Sequence, residues 1–182
     1  METAAGWTIC ESPIGPLTVV AGPRGVTGIH FAGHAPRLAA AERRPLAAVA
    51  EQLAAYFAGE LRAFDLKLEM RGTPLQRAVW DRLLEIPYGE TTSYGEVARQ
   101  VDESLYGEGI EAHERPRSVG AAVGSNPVPV VVPCHRVIGA DGSLTGYFGG
   151  LERKRTLLDL ESGSEAGWAP VPSRASGQTT LL

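Results

Sequence analysis

The stretch Asn126-Pro127-Val128-Pro129-Val130-Val131-Val132-Pro133 constrains the fold more than any other part of the chain. Its valines demand burial, yet its prolines lack the amide donors that a central strand contributes to a ladder. Such a segment reads as a buried, extended connection, and it leads straight into Cys134-His135-Arg136. The surrounding chain of 182 residues holds 22 glycines and 13 prolines, which implies short elements and many turns. At 43% hydrophobic and 21% charged residues it has the makings of a packed core, and global disorder is excluded.

Upstream, Trp7–Cys10, Leu17–Ala21 and Val26–Phe31 read as short antiparallel strands separated by Gly/Pro turns. Residues 45–58 have helical spacing, with Pro45 placed to open the helix, Leu46, Val49, Leu53 and Phe57 in one stripe, and Gly59 as a stop. Phe64–Leu68 alternates like a further strand. No reactive group stands out, so residues 1–68 read as a supporting domain.

A second unit begins at Gly72-Thr73-Pro74 and runs to 161. Thr73 caps a helix with Pro74 in its first turn, and Leu75, Val79, Leu83 and Ile86 share a face, with Trp80 beside it in the core. Pro87-Tyr88-Gly89 ends that helix. Ser93 and Glu96 have capping-box spacing for a short helix from Tyr94 to about Val101. Residues 102–114 read as an exposed acidic loop, and Pro116 sits in the first turn of a third helix ending near Gly124-Ser125-Asn126. Three short helices in succession suggest a helix-turn-helix with an elongated loop. A final helix carries Leu151, Leu158 and Glu161 along one side, and residues 162–182 read as a flexible tail. The fold class is α/β in composition and α+β in arrangement: a small N-terminal sheet with a helix, then a mostly helical domain.

The formal charge of -4 argues against bulk attraction to a polyanion, although residues 113–155 carry a local +3. No apolar run approaches the roughly 20 residues that span a bilayer, and the acidic start lacks a basic leader; a cytoplasmic protein is expected. Cys10 and Cys134 cannot form a disulfide framework, and Cys10 with His30 and His34 leaves a zinc set one ligand short, so no metal or other cofactor is expected.

Cys134 is the residue to explain. A lone intracellular cysteine is ordinarily a small buried hydrophobe. With a histidine to take its proton and a carboxylate such as Glu161 to fix the histidine tautomer, it becomes a nucleophile. Both readings stay open on spacing alone. Asn126-Pro127-Val128-Pro129 with Val132-Pro133-Cys134-His135-Arg136-Val137, however, resembles the active-site signature of O6-alkylguanine-DNA alkyltransferases, the methylated-DNA–protein-cysteine methyltransferases. The resemblance extends through Gly146-Tyr147-Phe148-Gly149-Gly150, Pro74–Trp80, Ile86–Gly89 and Tyr94–Ala98. It also takes in Ser12-Pro13-Ile14-Gly15-Pro16-Leu17, which fits the small ribonuclease-H-like domain of bacterial members.

What the resemblance implies is a suicidal DNA-repair methyltransferase. Members place a helix-turn-helix in the minor groove of duplex DNA, flip the alkylated base and move its alkyl group irreversibly to cysteine. O6-alkylguanine is the implied substrate, with O4-alkylthymine beside it. Carried over, Cys134 is the acceptor, His135 the water-mediated base, Glu161 its orienter and Asn126 the brace of the turn. Tyr94 donates toward the guanine ring nitrogen, and Arg117 fills the vacated base position, with Arg136 and Ser118 as further DNA contacts. Tyr147, Phe148, Val137 and Pro129 form the pocket for the alkylated base. Arg153-Lys154-Arg155 reads as a solvated basic face. The protein is expected to act as a monomer; the alternative is a lesion-binding protein without transfer. One departure from the family stands out: the segment from Tyr94 to Arg117 is longer than usual, and the excess carries Asp102, Glu103, Glu108, Glu111 and Glu114.

Overall fold

The computed structural model describes residues 6–163. Strands β1 (Gly6–Cys10), β2 (Leu17–Gly22) and β3 (Gly25–Phe31) form an antiparallel sheet in sequence order. Alternation along β2 turns Leu17, Val19 and Ala21 inward, opposite Phe31, Ile29 and Val26. Gly25 at φ 150° lets the backbone of Lys67 approach closely; a Cβ there would collide with the Lys67 carbonyl.

Helix α1 (Ala47–Phe57) starts two residues after Pro45, with Leu46 in the cap position. Its stripe also differs from expectation. Val49, Leu53 and Tyr56 are buried, whereas Phe57 is only half-buried. The expected strand at 64–68 is not regular. Only its end touches β3, where Val26 N–H donates to Lys67 O at 2.8 Å and Glu69 N–H to Val26 O at 2.8 Å. The side chain of Gln52 claims both backbone groups of Asp65, at 2.8 and 2.9 Å, so no strand partner is needed there.

Helix α2 (Pro74–Leu84) opens with the complete capping box of Thr73 and Gln76. Trp80 is buried on it, and its indole N–H donates to Ala122 O at 2.8 Å. Strand β4 (Thr92–Ser93) leads into α3 (Tyr94–Gln100), where Ser93 Oγ accepts from Glu96 N–H at 3.1 Å. Helix α4 (Arg115–Gly124) packs on both α2 and α3. The connection from α3 to α4 is not merely an exposed loop. Its carboxylates face solvent, but a 3-10 turn at Glu103–Leu105 presents Tyr106 to the core, where its hydroxyl donates to Ala98 O at 3.1 Å.

The Pro127–Pro133 connection is buried as expected but bent rather than extended, because Val132 N–H turns back to Val128 O at 2.9 Å and Pro129 bridges to Val132. Val128, Val130, Val131 and Val132 are all inside, and Val130 at φ 75° is the only non-glycine with positive φ among the described residues. A β-branched residue in that region costs about 1–3 kcal/mol, so the surrounding packing imposes the conformation. The chain then makes a 3-10 turn at Cys134–Arg136 and the short strand β5 (Val137–Ile138), parallel to β4. Helix α5 (Leu151–Ser162) buries Lys154, Leu157, Leu158 and Glu161. Leu151, expected on the inner side, is 47% exposed at the first turn. Of the expected tail at 162–182, Ser162 closes α5 and Gly163 is its left-handed cap; the remainder lies outside the described residues. Among the described residues no helix is long and apolar enough to cross a membrane.

Candidate active site

Asn126 staples the connection. Its Nδ2–H donates to Val132 O at 2.8 Å and its Oδ1 accepts from Val128 N–H at 2.9 Å, so one side chain sets both ends of the bend. Cys134 emerges from it 5% exposed, its own N–H bonded back to Val132 O at 2.8 Å. Burial pushes the thiol up to about 11, against the pull of a hydrogen bond from Asn126 and the charge of Lys154. The resting sulfur is a thiol.

Lys154 is the central member of the expected basic face, and the structure places it inside. It is fully buried, and its Nζ donates to Val137 O at 2.6 Å and Thr145 O at 2.8 Å. Burial lowers its pKa to about 8. Arg153 is likewise turned inward, with Nε on Ile14 O at 2.7 Å and its guanidinium over the Phe31 ring. Carbonyls, not phosphates, take these cations.

His135 is fully buried beside the acceptor. Its Nε2 bonds Glu161 Oε1 at 2.8 Å, which leaves Nδ1 without a protein partner. Burial lowers the histidine pKa, and Glu161 only partly offsets this, so the ring is neutral with its proton on Nε2. Burial would raise Glu161, but hydrogen bonds from His135 and Arg136 hold it well below the usual carboxylate range.

Arg136, expected to contact DNA, does not reach the surface. It is 6% exposed, and its guanidinium grips Glu161 through Nε to Oε2 at 2.8 Å and Nη2 to Oε1 at 2.9 Å. Gly89 comes so close to the backbone of Glu161 that a Cβ would lie 2.9 Å from its carbonyl, and the glycine N–H donates to Oε2 at 3.3 Å. The sequence reading missed one further partner: Tyr56 of α1, whose hydroxyl donates to Oε1 at 2.6 Å across 105 positions. A tyrosine in a helical stripe looks like any other core aromatic, so nothing local marked it.

Cys134 lines a cavity of about 260 Å³ together with Asn126, Pro129, Tyr147 and Phe148. Ile29, His30 and Phe31 of β3 supply the other wall, a contribution of the first part of the chain that the sequence did not reveal. Tyr147 and Phe148 also border a cleft of about 610 Å³ on the helix-turn-helix side, shared with Tyr94, Pro116 and Arg117. Phe148 is 62% exposed, edge-on to His34 at 4.8 Å between centroids, while the Tyr147 hydroxyl is buried without a partner. Tyr94 reaches Thr145 O at 3.2 Å from the start of α3. Arg117 is exposed at the cleft and Ser118 half-exposed behind it; the arginine paired with the acidic segment is Arg115, on Glu103 at 3.0 Å. Val137, expected in the pocket wall, is fully buried in β5 and lines neither cavity.

A neutral thiol beside a neutral, carboxylate-oriented imidazole suits a nucleophile that loses its proton only as it attacks. The cavity is small and largely apolar, fit for a planar base and its substituent.

The sequence matches the family models of the 6-O-methylguanine DNA methyltransferase ribonuclease-like domain over residues 6–70 and DNA binding domain over residues 74–163. It is 46% identical over 176 residues to a methylated-DNA–protein-cysteine methyltransferase of Mycobacterium tuberculosis, covering 94% of this chain and 95% of that one. A namesake from Mycolicibacterium paratuberculosis is 50% identical over 155 residues, 83% and 88% of the two chains. The crystal structure of Mycobacterium tuberculosis OGT in complex with DNA matches with a TM-score of 0.75 at 46% identity, covering 86% of this chain and 92% of that one. Matched along nearly all of its described length, and with its cysteine, histidine and glutamate assembled in one buried site, the chain belongs to the family of methylated-DNA–protein-cysteine methyltransferases, which repair DNA by direct alkyl transfer.

Proposed function

We propose that Cys134 is the acceptor and that the substrate is O6-alkylguanine in duplex DNA, with O4-alkylthymine as a second substrate. The observation that carries this reading is the placement of Cys134 in a cavity bordered by the C-terminal end of α4, next to His135 held by Glu161. As Sγ attacks the alkyl carbon in line, the S–C bond forms and the C–O6 bond breaks. The thiol proton passes through a bridging water to His135 Nδ1, and the electron pair leaves on the guanine oxygen. Tyr94 donates to the guanine ring as its charge grows, a contact stronger in the transition state than before it. The thioether is a poor leaving group, so each chain reacts once.

Residues 72–161 carry this chemistry and residues 1–68 support it. Arg117 enters the stack where the base has left, and Tyr147, Phe148 and Pro129 enclose the flipped base; extrusion costs a few kcal/mol, offset by these contacts. The protein acts on DNA as a monomer in this reading. Two free thiols suit a reducing cytoplasm. Incubation with O6-methylguanine duplex should add one CH2 unit to the intact mass, mapped to Cys134 and absent from Cys10, and then stop. Label on Cys10, or repeated turnover without added thiol, would overturn the reading.

A further inference from the structure

Glu161 receives more hydrogen bonds than its orienting task needs. Oε1 faces Tyr56 Oη at 2.6 Å, His135 Nε2 at 2.8 Å and Arg136 Nη2 at 2.9 Å; Oε2 faces Arg136 Nε and Gly89 N. A carboxylate offers about four lone-pair sites, so these donors compete for one charge. Tyr56 is fully buried among Phe57, Phe64 and Tyr88, with ring centroids 5.2, 5.2 and 6.1 Å away. Its hydroxyl is fixed by this packing and directed at the same oxygen that holds the imidazole.

From this geometry we infer that Tyr56 is a positioning residue that sets how strongly His135 holds a proton, and thereby the pH range in which Cys134 accepts an alkyl group. The inference rests on the proposed function. Each donor on Oε1 draws off part of the negative charge that would otherwise stabilise an imidazolium. With Tyr56 in place, less of it reaches His135, which stays neutral and ready to take the thiol proton. The other charged or titratable groups facing this pair are Cys134 and Arg136 from the 3-10 turn, Lys154 from α5, Tyr147 before α5 and Tyr88 after α2, with Arg62 stacked on Tyr88. Arg136 and Lys154 disfavour a proton on His135, as Tyr56 does. Glu161 is the group that favours it. Tyr56 therefore limits the pull of the sole attractive partner, from a helix 105 positions away in the chain.

The test is Tyr56→Phe in the whole protein, which keeps the ring and removes the donor. Single-turnover transfer from methylated duplex is followed against pH, and the His135 ring is titrated by NMR in a Cys134→Ser background. The acid limb and the ring titration should both move up by about half a pH unit, a roughly threefold gain in proton affinity, with the plateau rate within a few-fold of the unaltered protein. Placing 3-fluorotyrosine at position 56, a stronger donor of nearly the same size, should move both the other way, and it serves if the phenylalanine variant is unstable. A lower melting temperature with both titrations unmoved would make Tyr56 purely structural and overturn the inference. Absence of transfer by the unaltered protein would instead overturn the proposed function, and the ring titration would still decide the link from Tyr56 to His135.

Discussion

Arg115 stands over the ring of Tyr106, its guanidinium carbon 5.3 Å from the centroid, while its Nη2 holds Glu103 at 3.0 Å. This pair ties the inserted segment between α3 and α4 to the first residue of α4. The insertion is therefore packed structure with an acidic exterior. Tyr106→Ala should cost about 3 kcal/mol, the usual scale for emptying a buried aromatic site, and Tyr106→Phe about 1 kcal/mol for the bond to Ala98. Excising residues 102–110 should lower the thermal midpoint, contrary to what a solvated loop would give; denaturant and thermal unfolding check all three.

His135 must be neutral to accept a proton. Its folded pKa lies below the ordinary 6.5, so the transfer rate should hold steady through pH 7 and fall only once the pH drops beneath that value. His135→Ala should slow transfer about 10²-fold across the plateau, the typical contribution of a general base. Rapid-quench kinetics with saturating duplex measure both effects.

Arg117 is exposed at the mouth of the larger cleft. Arg117→Ala should slow repair of duplex strongly and leave reaction with free O6-alkylguanine nearly unchanged, since a free base needs no flipping. Equal losses on both substrates would point to a pocket defect.

Lys154 has a folded pKa of about 8 against 10.5 when free. Between those values the unfolded chain binds the extra proton, so this group makes stability rise with pH across that window. Cys134 works the other way between 9 and about 11, because its folded pKa is raised. The comparison of Lys154→Met with the unaltered protein isolates the lysine: the variant should lose the rising component between pH 8 and 10.5. It should also be less stable at pH 9 to 10, since the buried Val137 O loses its donor, at about 1–3 kcal/mol for a buried orphan. Urea midpoints at several pH values check this.

The parts legible in the sequence are those whose cause is local. Thr73 with Gln76 and Ser93 with Glu96 cap their helices because the capping partners lie three positions away. Leu17, Val19 and Ala21 declare a strand by alternation. The acceptor motif was legible as a string, and its assembly around Glu161 followed. Arg136 and Lys154 were misread as surface cations because the groups that neutralise or solvate them, Glu161, Val137 O and Thr145 O, come from elsewhere in the fold. Tyr56 and Phe57 are adjacent aromatics in one helix; the fully buried one is the tyrosine, whose hydroxyl bonds a carboxylate on α5, a partner that local spacing does not reveal. Tyr106 hid within a run of acidic residues whose charge suggested solvent on every side.

Helix α5 touches the beginning of the chain at both of its ends: Arg153 holds Ile14 O and stacks on Phe31, and Glu161 takes the hydroxyl of Tyr56. The seam near residue 72 is thus covalent but not energetic. A gene divided there would yield a second fragment that contains every member of the acceptor motif and still lacks one side of its cavity and one ligand of its carboxylate. Reassembly with the first fragment, rather than the motif alone, would restore the site.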